Sequence, residues 1–339
     1  MLKRANLAAV AIAAATLGFA VAKQQADPAQ TLLAAAIDAP SQVSYSGVVE
    51  VVRIGDRSSE VEIYRVEHRA PNLTRRSYSA PAALAGDSMV SRGDLDFSLD
   101  PKQRRIVETR DDAASDSDGI AADYALLREN YRIVPKGREN FDGRSTIDLG
   151  LINRYSGKIT MLVRIDSQNK LMLDKQEFSP SGGLIGEVRF ERVSYGAIPA
   201  DDFALPAGYA MARAAGSEVS LSPEGVARSA GFAVREPRRL PEGFAPLEAS
   251  LTEMQGVRTV QFLYSDGIRT VSLFENATAS TLDAARLTTQ SVRVGARSAR
   301  YTEDGSTALL AWNDGGRCYT LVGEVGSVDL THLAAAITP

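Results

Sequence analysis

Histidine and cysteine, the side chains that most often carry nucleophilic or metal chemistry, are scarce in this sequence. Its 339 residues include two histidines, His68 and His332, and one cysteine, Cys318. A catalytic triad would need one of these histidines beside a nucleophile, and the Gly-x-Ser-x-Gly turn that presents a catalytic serine is absent. A zinc site needs three or four histidine, cysteine or carboxylate ligands at suitable spacing, and the sequence contains no such set. We therefore expect no catalytic residue, no metal site and no cofactor, and we interpret both histidines as surface residues and Cys318 as a packed strand residue.

Carboxylates are more numerous, and two clusters of them are candidates for a site. Asp116-Ser117-Asp118-Gly119 is similar to the start of a calcium loop, but the glutamate that closes such a loop is missing at the required offset. We interpret this stretch as a solvated linker that caps the next helix; its carboxylates are Asp111, Asp112, Asp116 and Asp118. Asp201 and Asp202 are interpreted as a loop pair. A glycosidase needs two facing carboxylates, but a strand-rich chain carries many by chance.

The stretch SPSGGLIGEVRFERVSYG, residues 179–196, raises the question of a phosphate-binding loop. Walker-type loops and dinucleotide-binding loops both place their glycines directly before a helix. The residues after Gly186 instead alternate between apolar and polar, with Val188 and Phe190 on one face, which is the pattern of a β-strand. We therefore predict that Gly182 and Gly183 reverse the chain between two strands and bind no phosphate.

The overall composition of the chain is that of an ordinary globular protein. Hydrophobic residues make up 44% of the chain and charged residues 24%, and the formal net charge is −4. The length predicts two domains rather than one. Aromatic residues are only 6% of the chain and are not interleaved with a basic stripe, so we expect no nucleic-acid binding.

Residues 1–22 have the three-part pattern of a secretory signal peptide. Lys3 and Arg4 give a positive start, Leu7–Phe19 is uncharged and apolar, and the small residues Ala20-Val21-Ala22 form a cleavage site. The apolar stretch is too short for a comfortable membrane span, and no cysteine follows the cleavage site to carry a lipid anchor. We predict a protein that is exported to the periplasm and soluble after cleavage.

Two helices are predicted in the N-terminal part of the chain. Asp27 is a favoured N-cap and Pro28 suits the first helical position, so one helix should begin there, and Pro40 limits its continuation. A second helix is predicted from roughly Ile120 to Asn130, where apolar residues follow helical spacing.

Antiparallel strands are predicted over much of residues 45–195. In the first strand Val49 and Val51 share one face, and in the second Val61 and Ile63 alternate with glutamates. Two short strand-like pieces lie around Asp100-Pro101, and five strand candidates follow between residues 131 and 195. A meander of this size must curl or be covered on one face.

The chain changes character between residues 208 and 240, which we predict to be a linker. It contains a short helix capped by Ser222 and a proline-rich extended piece. Beyond it, Asp266-Gly267 is the strongest hairpin signal of the chain, and a final helix is predicted from roughly Val328 to Ile337. The predicted domains are 27–207 and 241–339, the second a small α+β domain.

A specific order of short motifs runs from residue 130 onward. Asn130-Tyr131 ends a predicted helix, Gly137-Arg138-Glu139 follows, and Gly143-Arg144 precedes the next strand. This order resembles periplasmic regulators of the RseB/MucB type. The stretches VRIDSQNKLMLDKQEFSPSGGLIGEVRFERVSYG, Thr31–Arg53, RRLPEGFAPL and GRCYTLVGEV fit the same family, so the resemblance covers most of residues 27–337.

The resemblance implies a fold and a role. The N-terminal domain of such proteins is similar to the lipoprotein carriers LolA and LolB, an open, curved antiparallel half-barrel whose concave face is closed by helices and leaves a cavity suited to acyl chains. The resemblance also implies an inner-membrane anti-sigma factor as partner, in envelope-stress signalling tuned by lipids. The candidate cavity residues are the one-face apolar positions of the predicted strands: Val49, Val51, Ile63, Met161, Val163, Phe178, Val188 and Phe190.

Three functions stay open on the sequence alone. The first is a signalling module that binds a single-pass inner-membrane protein, and the second is a periplasmic carrier that holds the acyl chains of a lipid or lipoprotein. The third, a hydrolase, has little support in the residue types. Plain core packing explains the candidate cavity residues equally well, and the sequence leaves homo-oligomerisation open.

Overall fold

The computed structural model describes residues 27–55, 59–110, 124–213, 219–254, 256–278, 289–304, 307–324 and 327–337. These residues form two β-sheets and four α-helices. The predicted signal peptide and the acidic stretch of residues 111–118 lie outside the described residues. Within the described ranges, no helix has the length and apolar character needed to cross a membrane.

Twelve strands form the first sheet. They are β1 (Tyr45–Ile54), β2 (Ser59–Arg69), β3 (Leu73–Ala80), β4 (Ser88–Arg92), β5 (Leu95–Asp100), β6 (Arg105–Arg110), β7 (Tyr131–Phe141), β8 (Arg144–Asn153), β9 (Ile159–Asp166), β10 (Met172–Phe178), β11 (Leu184–Tyr195) and β12 (Ala210–Arg213). Their order is β12-β6-β5-β4-β3-β2-β1-β11-β10-β9-β8-β7. Neighbours pair antiparallel, except that β12 runs parallel to β6. The expected β-rich fold with a large open sheet is therefore confirmed.

The glycine-containing stretch between β10 and β11 is a turn, as predicted. Gly182 has a φ of +94°, which favours glycine. The turn is closed by the amide of Ser179, which donates to the carbonyl of Gly183 at 2.9 Å. The chain then enters β11, which pairs antiparallel with β10.

Two helices lie on the β7–β9 end of this sheet: α1 (Pro28–Gln42) and α2 (Tyr124–Asn130). The Asp27 carboxylate accepts a hydrogen bond from the amide of Ala29 at 2.9 Å, which confirms the predicted cap. Leu33 of α1 and Leu127 of α2 are fully buried in one apolar cluster with strand residues of β7, β8 and β9. Burial of these apolar side chains is the main force that fixes the helices on the sheet.

A separate apolar cluster lies at the β3–β6 end of the sheet. Phe97 of β5 and Phe203, from the short helix Ala200–Phe203, are buried there. Guanidinium groups tie the segment around this helix to the sheet, because Arg75 donates to the carbonyl of Asp202 at 2.8 Å and Arg92 to that of Phe203 at 2.7 Å. Asp201 and Asp202 lie in this short helix, so the expectation of a simple loop pair is corrected.

The second sheet belongs to a smaller C-terminal α+β domain, as expected. Its strands are β13 (Val219–Leu221), β14 (Ala245–Met254), β15 (Val257–Ser265), β16 (Thr270–Asn276), β17 (Gln290–Val294), β18 (Arg297–Asp304), β19 (Thr307–Asp314) and β20 (Arg317–Gly323), in the order β13-β14-β15-β16-β20-β19-β18-β17. Two helices, α3 (Pro223–Ser229) and α4 (Ser327–Ile337), bury Val226 and Leu333 in the core of this domain. Cys318 is buried in β20, where a packed strand residue was expected.

The segment predicted as a linker is divided between the two sheets. Its strand β12 extends the first sheet, whereas β13 and α3 pack with the second. The exact domain bounds stay a prediction, and these contacts favour a C-terminal domain that begins near Val219.

Candidate functional site

The inner face of the first sheet, defined here as the face that carries Val49 and Val163, brings six of the eight candidate cavity residues together. Cross-strand pairs join Val49 to Phe190 and Val51 to Val188, and Val188 and Val163 lie on either side of Lys175 in β10. Directly opposed residues point to the same side of a sheet, so these residues share one face with Met161, two positions from Val163. Whether this face binds an acyl chain stays a prediction.

Ile63 is on the wrong face for that role. It pairs with Glu50, whereas Val49 pairs with the buried Tyr64. The prediction of Ile63 as a cavity residue is therefore wrong, and the residues of β2 that face inward are Tyr64 and its alternate neighbours. The reason is that β2 alternates apolar residues in both registers, and packing against Val49 selects the register with the larger side chains.

His68 ends this inward set and is not the surface residue that the sequence predicted. The residue is 5% exposed, and its ring stacks on Tyr45 at 4.8 Å between ring centroids. One ring nitrogen, Nε2, lies 2.7 Å from the carbonyl of Pro40, and Nδ1 lies 2.8 Å from the hydroxyl of Thr74. Burial lowers the pKa of His68, so a neutral ring donates to Pro40 and accepts from Thr74. The histidine thus joins α1 to the sheet.

The inner face also meets the C-terminal domain. Ile268, in the turn between β15 and β16, packs against the apolar cluster that contains Met161 and Val163. We name residues 266–269 the junction turn. Because this turn and the two helices cover the β7–β9 end of the face, Met161 and Val163 are packed core residues in this structure.

The carboxylate of Asp266 organises the junction turn. It is fully buried and accepts hydrogen bonds from the amides of Ile268 and Arg269 at 3.0 and 2.8 Å. The Arg269 guanidinium pairs with it at 2.7 Å, and the Tyr131 hydroxyl of the N-terminal domain donates to it at 2.7 Å. Burial and the charge of Asp266 raise the pKa of Tyr131, so its hydroxyl stays protonated and donates.

Asn130, the last residue of α2, holds the backbone of the turn. Its side-chain amide donates to the carbonyl of Asp266 at 3.0 Å and to that of Gly243 at 2.7 Å. The Tyr155 hydroxyl donates in turn to the Asn130 amide oxygen at 3.0 Å. Gly267 sits so close to α2 that a Cβ there would lie 2.4 Å from the amide nitrogen of Leu127. Only glycine fits at this contact, and its φ of +98° favours glycine as well.

A second set of ionisable groups lies beside the junction turn. Lys175 is 5% exposed on the inner face and pairs with Glu177 at 3.1 Å. Glu324, which follows β20 in the C-terminal domain, is half-buried close to them. Burial, together with the charges of Glu177 and Asp266, raises the pKa of Glu324 to about 7, and the charge of Lys175 opposes that change.

An open cavity of about 660 Å³ lies between the two domains. This volume is in the range of pockets that bind small ligands. The N-terminal domain contributes Tyr155, Lys158 and Phe178 to its lining. Lys158 is held in place by a hydrogen bond to the carbonyl of Pro180, in the turn between β10 and β11. Phe178, a sequence-predicted candidate for the acyl-chain site, lines this cavity.

The C-terminal domain supplies the other wall of the cavity. Leu240 and Phe244 give apolar surface, Arg269 of the junction turn stands over the Phe244 ring at 5.8 Å, and α4 adds His332. His332 is exposed, as the sequence predicted. Groups of three or more histidine, cysteine, aspartate or glutamate side chains that could hold a metal ion do not occur among the described residues.

Comparisons with known proteins relate both domains to known folds. Residues 234–337 match the model of a domain of unknown function, DUF4367. The crystal structure of MucB in complex with MucA(peri) covers 92% of this chain and 98% of that chain, with 18% identity and a TM-score of 0.61. The MucA/MucB complex of Pseudomonas aeruginosa has a TM-score of 0.63 and covers 92% of this chain and 99% of that chain, with 18% identity. The crystal structure of MucB alone has a TM-score of 0.55 and covers 92% of this chain and 98% of that chain, also with 18% identity. The search of curated proteins found no match. The chain therefore has the fold of MucB.

Proposed function

We propose that this protein is an exported periplasmic regulator that binds the periplasmic segment of an inner-membrane anti-sigma factor in envelope-stress signalling. The observation that supports the proposal most is the shared fold with MucB over 92% of the chain, including both domains. The two MucB structures that contain MucA give higher TM-scores than MucB alone. The signal-peptide pattern of residues 1–22 supports export to the compartment where such a partner would be met.

The cavity between the domains is our proposed docking site for the partner. Its walls combine apolar surface from Phe178 and Leu240 with charged groups of both signs, among them Lys158, Glu242 and Asp329. Apolar walls with a few placed polar groups suit the side chains and backbone of an extended segment. Because both domains line the cavity, binding there would depend on how the domains sit against each other.

A site-specific photo-crosslinker tests this proposal. Arg239 lines the cavity and is exposed, while Met211 is 56% exposed in β12 at the far edge of the first sheet and serves as the matched control. Replacing Arg239 with a benzophenone amino acid should capture a single-pass membrane protein from intact cells, and replacing Met211 should not. Capture of no membrane protein from either position, together with normal stress-sigma output in a deletion strain, would refute the proposal.

A lipid or lipoprotein carrier is the second candidate function. The apolar inner face, with Val49, Val51, Val188 and Phe190 in one row of cross-strand contacts, is the observation that favours it. Mass spectrometry of organic extracts from protein purified from the periplasm should then find bound acyl chains. If no acyl chain is found at near-stoichiometric amounts, the carrier function is excluded.

A further inference from the structure

The contacts of the junction turn fall into two groups that behave differently when the domains separate. The first group lies within the turn: the Asp266 carboxylate with the Arg269 guanidinium and with the amides of Ile268 and Arg269. The second group crosses to the N-terminal domain and consists of bonds from Tyr131 and Asn130. The charge of Asp266 is therefore balanced inside its own domain.

This division decides whether the junction turn can move away from its binding position on the N-terminal domain, which we call its seat. A buried carboxylate that lost its only cation would carry a large desolvation penalty, which would lock the domains together. Asp266 keeps Arg269 when the turn withdraws, because both residues belong to the same four-residue turn. What is given up across the junction is the hydrogen bond from the Tyr131 hydroxyl to the Asp266 carboxylate and the bonds from the Asn130 amide to two backbone carbonyls. Water can take the place of each of these donors.

The rest of the junction offers little resistance to separation. Among the described residues, no strand or helix of one domain packs extensively on a strand or helix of the other. Small, polar interfaces between domains allow relative motion by default. The apolar part contributed by the turn is Ile268, which reaches the cluster under α1 and α2.

We propose that the junction turn is a detachable plug: the C-terminal domain swings away by withdrawing residues 266–269 as a unit, with the Asp266–Arg269 pair intact. Withdrawal changes the cavity, because Arg269 and Phe244 form part of its wall and the carbonyl of Gly243 is held by Asn130. Resting on the proposed function, this makes binding of the partner segment dependent on a seated turn. The plug itself does not depend on any partner.

Gly267→Ala is the direct test, because its Cβ would meet Leu127 at 2.4–2.9 Å and prevent seating. Gly316→Ala is the matched control: Gly316 is a hairpin glycine of the same domain with a φ of +80°, and a Cβ there would meet no atom within 4 Å. Spin labels at Ser98→Cys and Arg300→Cys, both exposed and one in each domain, report the distance between the domains by pulsed electron resonance. Cys318 is buried and does not compete for label.

The expected result is a longer or broader distance distribution for Gly267→Ala and a wild-type distribution for Gly316→Ala. A folded Gly267→Ala protein with the wild-type distribution would overturn the plug. If Gly267→Ala fails to fold, Tyr131→Phe gives the second test, because it removes one crossing hydrogen bond and keeps the ring; an unchanged open fraction there would also overturn it.

The crosslink from position 239 distinguishes the plug from the docking site. If the domains open in Gly267→Ala and the crosslink to the membrane protein is lost, the coupling of the plug to partner binding is supported. If the domains open and the crosslink persists at wild-type yield, the plug stands but its control of the partner is refuted. If wild-type protein gives no crosslink, the docking proposal fails while the distance measurement still decides the plug.

Discussion

Two covers lie on the same end of the inner face, and they differ in the chemistry of their contact. Helices α1 and α2 insert Leu33 and Leu127, both fully buried, into the cluster over β7–β9. The junction turn adds Ile268 at the margin of that cluster but is held chiefly by the polar contacts of Asp266 and by close backbone approach at Gly267. Removing the helices would expose hydrocarbon to water, whereas withdrawing the turn exchanges hydrogen bonds with water. The first cover is permanent and the second is reversible.

The largest effect should come from damaging the permanent cover. Leu33→Ala removes apolar volume from a fully buried position, and such substitutions lower the free energy of unfolding by about 2–5 kcal/mol. Urea denaturation followed by circular dichroism measures the loss. Val61→Ala, at a position that is 40% exposed, is the control and should change stability by no more than about 0.5 kcal/mol. A loss below about 1 kcal/mol for Leu33→Ala would show that α1 is not a permanent cover.

Breaking the ion pair inside the turn should have the next largest effect. Arg269→Met leaves the Asp266 carboxylate buried without its cation, and the loss of one partner of a buried pair costs about 3 kcal/mol or more. We expect the turn to leave its seat so that Asp266 reaches water, which would appear as a longer label distance between the domains and a lower unfolding midpoint. Arg293→Met removes an exposed arginine of the same domain and should change neither quantity. Wild-type distance and stability in Arg269→Met would mean that the charge of Asp266 is balanced from elsewhere.

Glu324, the acidic residue beside the junction turn, predicts that the fraction of protein with its two domains closed depends on pH. The pKa of Glu324 is raised from its ordinary value of 4.5 to about 7 by burial and by the charges of Glu177 and Asp266, with Lys175 opposing. Opening removes the charge of Glu177 and the burial by the N-terminal domain, so the pKa of Glu324 is lower in the open form than in the closed form. The closed form therefore holds a proton that the open form releases, and the closed fraction should fall as the pH rises towards about 7 and stay constant above that. The label distance measured across this range should show the change.

Glu324→Gln removes the titrating group and should flatten the pH profile. Glu303→Gln, at an exposed position of the same domain, should leave the profile as in the wild type. A closed fraction that rises with pH in the wild-type protein would contradict the assignment, because the sign follows from which form holds the proton.

The sequence predicts local features of the fold better than the junction. The cap at Asp27, the chain reversal at Gly182 and the hairpin at Asp266-Gly267 each depend on residues close together in the chain, so composition and spacing reveal them. The prediction for the inward face of β2 is wrong at Ile63, because both registers of that strand contain apolar residues and only packing on Val49 decides between them. The bond between Tyr131 and Asp266 joins residues 135 positions apart, and no local pattern specifies such a pair.

The smallest effect should come from removing one crossing bond while the turn keeps its charge balance. Tyr131→Phe deletes the hydroxyl that donates to Asp266, leaves the ring in the core and leaves Arg269 in place. A hydrogen bond to a charged group contributes about 1.5 kcal/mol or more, so the ratio of open to closed protein should rise at least about tenfold. The distance distribution between the labels measures this ratio directly. An effect as large as that of Arg269→Met would mean that Tyr131 is needed to keep Asp266 buried. The turn would then be a fixed joint, since the Asp266 carboxylate could not separate from the N-terminal domain without a large penalty.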